Sequence, residues 1–219
     1  MSPEVRAESL SPRVLVVSGS PRACGNSEAL AERIASEIES ASVTTEVVRL
    51  RELDYSSCVG CELCRKSGIC TRFDDGMTTL YDKIRDARGL VLISPVHNYN
   101  VSAWMKSFID RLYCFYEFDY PRPGPWRSVL AGQDRKAVVV AVAEQLETRD
   151  AGFTLEAMRR PLEALGYEVV DEVLILGTFE KGSVSQLSEA MLGIEAAAGT
   201  LTQALVRSSG VSGSIRTGL

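Results

Sequence analysis

Short apolar runs and helical stripes succeed each other along the chain. Arg13 to Ser18 (RVLVVS) is a compact β-branched run. After a turn rich in Gly, Ser and Pro, the segment Ser27 to Ser40 repeats Leu30, Ile34 and Ile38 at every fourth position. A run of the first kind predicts a strand, and the stripe predicts a helix. Val43 to Leu50 predicts a second strand. Thr78 to Ala87 predicts a helix with Leu80 and Ile84 on one face, followed by a third strand over Gly89 to Ser94 and a third helix over Val101 to Tyr113. Lys136 to Ala143 (KAVVVAVA) is the most apolar strand, as burial on both faces requires. Thr154 to Leu165 then predicts a helix, Glu168 to Leu176 a fifth strand and Ser183 to Val206 a closing helix. Such alternation argues for a parallel sheet covered on both faces. Right-handed crossovers make it a doubly wound α/β fold, with a five-stranded parallel sheet in three α/β/α layers.

The length of 219 residues suits one such domain with decorations. Residues 1–12, with no periodicity, are read as a loose arm, residues 13–206 as the folded domain and the Ser/Gly-rich residues 207–219 as a frayed tail. A net charge of −5 gives no electrostatic footprint for nucleic acid or anionic lipid. No apolar run approaches the ~20 residues that span a bilayer. The N-terminus lacks the basic-then-apolar pattern of a signal peptide, so a cytoplasmic location is expected. In that compartment structural disulfides are rare, and clustered Cys point to a metal or redox site. The six Cys and one His are therefore the informative counts: the lone His excludes a polyhistidine metal centre.

In open α/β sheets, ligands bind outside the carboxyl ends of the strands, which directs attention to the loops after strands one to four. The first, Ser18-Gly-Ser-Pro-Arg-Ala-Cys-Gly-Asn-Ser27, combines hydroxyls, glycines and the N–H groups of a helix start. These make an anion site to which Arg22 adds a charge-assisted bond. The alternative is an ordinary turn with Asn26 or Ser27 as helix cap. The third loop, Ser94-Pro-Val-His-Asn-Tyr-Asn-Val-Ser102, is polar and aromatic, with the only histidine at a strand's carboxyl end.

Together, GSPRACGNS and SPVHNYNVSAWMKSFIDRL resemble the flavodoxin-like NAD(P)H-dependent FMN reductase family over about residues 13–206. The resemblance implies bound FMN. Its phosphate is expected at Ser18, Ser20, Pro21, Arg22, Gly25, Asn26 and Ser27. Its ring and ribityl chain are expected at Pro95, Val96, His97, Asn98, Tyr99, Asn100 and Ser102. The family's fourth-strand loop is often glycine-rich, whereas this chain has Ala143-Glu-Gln-Leu-Glu147.

The loop after strand two carries Cys58-x2-Cys61-x2-Cys64-x5-Cys70, four thiols within thirteen residues, with Gly60 and Gly68 allowing tight turns. Thiolates suit iron–sulfur clusters or zinc. Consecutive x2 spacings are nearer to ferredoxin-type loops than to paired zinc knuckles. Zinc, a thiol/disulfide redox pair and cysteines that bind nothing are the competing readings. The spacing and the following Asp74-Asp75-Gly-Met are similar to the iron–sulfur flavoprotein branch of the same family. That resemblance implies a [4Fe–4S] cluster on Cys58, Cys61, Cys64 and Cys70. Arg65 and Lys66 are placed to offset its negative charge, while Cys24 and Cys114 read as small buried apolar residues. Strand two is expected at the sheet's edge and FMN between strands one and three. A homodimer or homotetramer is accordingly expected to bring one chain's cluster to another's flavin.

Tyr113 to Trp126 (YCFYEFDYPRPGPW) gathers six aromatics and three Pro, and is read as a subunit interface bordering the active site, or else as a loop packed on its own domain. The resemblance implies an FMN-dependent oxidoreductase in which the flavin carries the chemistry. No side chain is assigned as acid, base or nucleophile. The electron donor is NAD(P)H or ferredoxin, and the acceptor a quinone-like or cyclic organic molecule. A non-enzymatic electron carrier, a dehydrogenase aromatising a chorismate-derived cyclohexadiene and a flavin-free zinc module are the other readings.

Overall fold

The structure is a computed structural model that describes residues 13–211, with side chains as far as Arg207. Its elements run β1 (Arg13–Ser18), α1 (Asn26–Ser40), β2 (Thr44–Arg49), α2 (Leu80–Asp86), β3 (Gly89–Pro95), α3 (Ala103–Arg111), β4 (Tyr116–Phe118), β5 (Trp126–Ser128), β6 (Arg135–Val142), α4 (Thr154–Leu165), β7 (Tyr167–Ile175) and α5 (Ser188–Val211). The five longer strands form one parallel sheet in the order β2-β1-β3-β6-β7. This is the order that the flavodoxin-like resemblance implies, with β2 at one edge.

The strand pattern explains the layers. Leu15, Val17, Leu90, Leu92, Val139 and Ala141 point to the face covered by α2, α3 and α4. Val14, Val16, Val91, Ile93, Val138 and Val140 point to the face covered by α1 and α5. Alternation of period two thus feeds two separate cores. All eight residues of the central β6 are buried, whereas the outer β7 is mostly half-exposed.

Differences from the predicted elements are local. The third helix ends at Arg111 and tightens into a 3-10 turn over Leu112–Phe115. The aromatic segment that follows pairs β4 with β5 as a hairpin, in three-residue strands too short to show a period. The closing helix starts with a 3-10 turn at Ser183–Gln186, and α5 continues to Val211, into the segment read as a frayed tail. The proposed arm at 1–12 and residues 212–219 lie outside the described residues. Among the described residues no helix is long and apolar enough to cross a membrane.

Candidate functional site

A cleft of about 170 Å³ opens at the carboxyl edge of the sheet. Its floor is the loop after β1, contributing Ser20, Pro21, Arg22, Gly25, Asn26 and Ser27. Pro95, Val96 and His97 form a second wall, and Val142, Glu144, Thr178, Phe179 and Lys181 the rest. Gly25, rather than Asn26 or Ser27, is the N-cap of α1, and no side chain caps the helix. The Glu28 N–H turns back to the Gly25 carbonyl at 3.1 Å, and the N–H groups of Asn26 and Ser27 ahead of it stand at the usual place of anion binding at a helix start. Asn26 instead accepts the Val184 N–H through Oδ1 at 3.2 Å, joining α1 to the loop after β7.

The loop is held from below by a buried carboxylate. Glu28 accepts the Cys24 N–H at 2.5 Å and guanidinium N–H groups of Arg49 and Arg51. Burial pushes its carboxyl up, but the Cys24 N–H and the two arginines outweigh this and hold it below the usual range. The loop also meets α3 directly: Gly19 packs so close that a Cβ there would lie 2.8 Å from Met105 Cβ. Ser102 caps α3 by accepting the Met105 N–H and donates its hydroxyl to the Gly19 carbonyl at 2.5 Å.

His97 to Asn100 closes on itself through His97 N–H to Asn100 O (2.8 Å) and Asn100 N–H to His97 O (3.1 Å). Both central residues, Asn98 (φ 49°) and Tyr99 (φ 64°), are left-handed, as a type I′ turn demands. Tyr99 is held there by Gly152 (φ 56°), where a Cβ would fall 2.2 Å from the Tyr99 carbonyl, and by the Phe153 N–H, which donates to that carbonyl at 2.8 Å. Burial, assisted by the Arg22 charge, keeps the His97 imidazole below its ordinary value and neutral at pH 7.

The cysteine loop occupies the other end of α3. Tyr55 donates its hydroxyl to the Trp104 carbonyl (2.6 Å) and Ser57 shares a hydrogen bond with Ser107 (2.7 Å), so the chain follows the helix. Its base is closed by Asp75, which accepts N–H groups from Ser56 and Met77 and a bidentate fork from Arg111 at 2.7 and 3.0 Å. Burial raises the Asp75 carboxyl, but the Arg111 fork and the Ser56 and Met77 N–H groups together outweigh it and hold the group below the usual range. Cys58, Cys61, Cys64, Cys70 and Cys114 all line one small cavity with Arg72, Arg111 and Tyr113. All six cysteines are free thiols. Among the described residues, no group of three or more His, Cys, Asp or Glu side chains converges as a bound metal requires. Four thiols around one cavity, with guanidinium groups nearby, are the donor chemistry of an iron–sulfur cluster.

Of the residues expected around a flavin, Ser20, Pro21, Arg22, Gly25, Asn26, Ser27, Pro95, Val96 and His97 share the cleft. Ser18 is buried below it, with no hydrogen-bond partner for its hydroxyl among the described residues. Asn98, Tyr99 and Asn100 stand exposed at the turn outside the lining, and Ser102 serves as a helix cap. Thr178, Phe179 and Lys181 were not foreseen. Cys24 corrects the expectation of a buried residue: a left-handed turn (φ 55°) leaves it exposed. Cys114 is buried as expected, its thiol pushed up to about 12, chiefly by burial. The aromatic hairpin packs on its own chain, Tyr116 donating to the Pro161 carbonyl at 3.3 Å. Tyr113 and Cys114, in the 3-10 turn before it, line the cysteine cavity, and no residue of the hairpin lines the cleft. The two cavities share no lining residue.

The family model described as NADPH-dependent FMN reductase matches residues 12–181. An iron-sulfur flavoprotein of Methanocaldococcus jannaschii is 34% identical over 99 residues, covering 45% of this chain and 51% of that protein, so the match spans about half its length. An iron-sulfur flavoprotein of Archaeoglobus fulgidus is 32% identical over 177 residues, 78% of this chain and 80% of that protein. Among solved structures, a NAD(P)H:quinone oxidoreductase from Methanothermobacter marburgensis superposes with a TM-score of 0.64 at 21% identity, covering 86% of this chain and 98% of that one. This last likeness shows the fold alone.

Proposed function

The chain belongs to the NADPH-dependent FMN reductase family, in the branch that holds iron-sulfur flavoproteins, and from that premise we propose an FMN-dependent oxidoreductase acting between a reduced donor and a quinone-like or cyclic organic substrate. The observation that carries this reading is the uncapped start of α1, ringed by Ser20, Arg22, Asn26 and Ser27 in one cleft with the end of β3. Those groups and the first-turn N–H groups bind the FMN phosphate, and Lys181 adds a second cation. Pro95, Val96 and His97 border the ring, with the neutral His97 able to accept or donate one hydrogen bond. Asn98, Tyr99, Asn100 and Ser102 complete that side, Tyr99 offering an exposed aromatic face to a substrate. Bound FMN supplies the hydride chemistry and can release electrons singly.

Cys58, Cys61, Cys64 and Cys70 hold a [4Fe–4S] cluster in this reading, supported by the shared cavity and by the iron-sulfur flavoproteins to which the chain is similar. The two cavities share no lining residue, and this reading joins them through a homo-oligomer in which the cluster of one chain approaches the flavin of another. A pure electron carrier is the second reading, favoured by the exposure of Cys58, Val59 and Cys61 at the surface. NAD(P)H-driven turnover of a quinone by anaerobically purified protein supports the enzyme. Rapid electron exchange with ferredoxin, without small-molecule turnover under any donor, contradicts it.

A further inference from the structure

We propose that Arg65 sets the reduction potential of the cluster through Cys64, an inference that rests on the reading of the four cysteines as cluster ligands. Arg65 follows Cys64 in the 3-10 turn Leu63–Arg65. Its Nη2 lies 3.0 Å from Cys64 Sγ and donates to it. The same guanidinium donates to the Tyr113 carbonyl at 2.5 Å and to the Tyr116 carbonyl. It also stacks on two rings, 4.5 Å from the centroid of Tyr113 and 5.3 Å from that of Phe118. Two carbonyls and two aromatic faces from the hairpin side therefore hold one cation against one sulfur. No hairpin residue lines the cleft; Tyr116 and Phe118 meet this arginine instead.

The neighbouring cations are placed differently. Lys66 is exposed; Arg72, also exposed, lines the cysteine cavity, as does Arg111, whose fork is taken by Asp75. Arg122 stacks on Phe118 at 4.0 Å, but its charge is matched by Glu62. Among the described residues, Arg65 is the arginine or lysine that hydrogen-bonds a cysteine sulfur of the loop.

Reduction adds one electron to a group already carrying four thiolates, with no bond broken and no proton required. A fixed positive charge and an N–H···S bond both favour the more negative, reduced state, and hydrogen bonds to sulfur and local charge are established determinants of such potentials. Removing Arg65 therefore makes the cluster harder to reduce. A merely structural role, anchoring the hairpin, would instead reduce the amount of cluster retained and leave the potential of the remainder unchanged.

The test is an anaerobic potentiometric titration with dithionite as reductant, followed by electron paramagnetic resonance, on the full chain and on Arg65→Met, Arg65→Lys and Arg122→Met. Iron and sulfide are measured on each sample. Arg65→Met is expected to shift the midpoint negative by a tenfold change in the reduction equilibrium, about 59 mV for one electron. Arg65→Lys, which keeps the charge and loses the fork, falls between, and Arg122→Met stays at the wild-type midpoint. If Arg65→Met retains too little iron to titrate, the Arg65→Lys midpoint decides, a negative shift supporting the proposal and no shift overturning it. A cluster present in every variant with one common midpoint overturns this inference alone. Wild-type protein lacking iron and sulfide overturns the cluster reading and this inference together.

Discussion

The cleft draws its walls from the ends of β1, β3, β6 and β7, whereas the cysteine cavity lies on a loop between β2 and α2 that is fastened to α3 by the Asp75–Arg111 pair. In the first region the sheet places the functional groups, and local devices only refine them: the uncapped start of α1, the Glu28 carboxylate beneath the loop, the left-handed turn at Asn98 and Tyr99. In the second, nothing in the sheet dictates the path. Side chains distant in sequence fix it, and Arg111 Nη1 reaches Ser56, on the approach to Cys58, as well as Asp75 beyond Cys70. Strand ends carry the cleft, while side-chain bonds to α3, the buried Asp75–Arg111 pair among them, carry the cysteine loop.

That contrast is most exposed at Asp75. Asp75→Ala leaves the buried Arg111 charge unpaired, a loss of about 3–5 kcal/mol. Urea titration is expected to show it, and folded variant is expected to lose iron while retaining FMN; equal loss of both cofactors would break the comparison. On the cleft side, Arg22→Ala removes a charge-assisted bond worth about 1.5–3 kcal/mol. Fluorescence titration should then show FMN binding weakened about tenfold or more, with riboflavin, which lacks the phosphate, unaffected and the iron content unchanged.

Gly152→Ala sharpens the same division from a distance, because its Cβ would clash with the Tyr99 carbonyl. With a backbone that disfavours side chains, about 1–3 kcal/mol of stability is expected to go, and FMN affinity to fall without loss of iron. Acid reaches both regions. Asp75 and Glu28 are held below the ordinary carboxylate range when folded, so their contribution is present above that range and lost as pH falls through the depressed values. Thermal melts from pH 7 to pH 3 should decline chiefly below about pH 4; a decline complete by pH 5 would contradict the assignment. Smallest of all, Cys24→Ser at its exposed turn should change stability by no more than about 0.5 kcal/mol.

The two regions were also unequally legible. The five strands and the loop from Ser20 to Ser27 follow from periodicity and the strand-end rule, because β-branched runs and helical stripes report burial directly, while the strand order follows from the resemblance to a flavodoxin-like family. The loops after strands one to four do not include Thr178, Phe179 and Lys181 after β7, although Gly177 and Gly182 frame that segment as a turn. For the cysteine loop, spacing conveyed the chemistry but not the placement. The Asp75–Arg111 fork spans 36 residues, and no local pattern announces it. Likewise, Arg65 reads as a nearby charge in sequence, and only the hairpin, whose strands are three residues each, shows what fixes it against Cys64.

The central claim is that one chain holds two cofactors in separately built sites. Its most direct test is the FMN, iron, sulfide and zinc content of anaerobically purified wild-type protein and Cys64→Ser. About one FMN with about four iron and four sulfide per wild-type chain is predicted, with Cys64→Ser keeping its FMN and losing its iron. Colourless wild-type protein containing zinc, or a Cys64→Ser variant that folds but loses FMN along with iron, would contradict the claim.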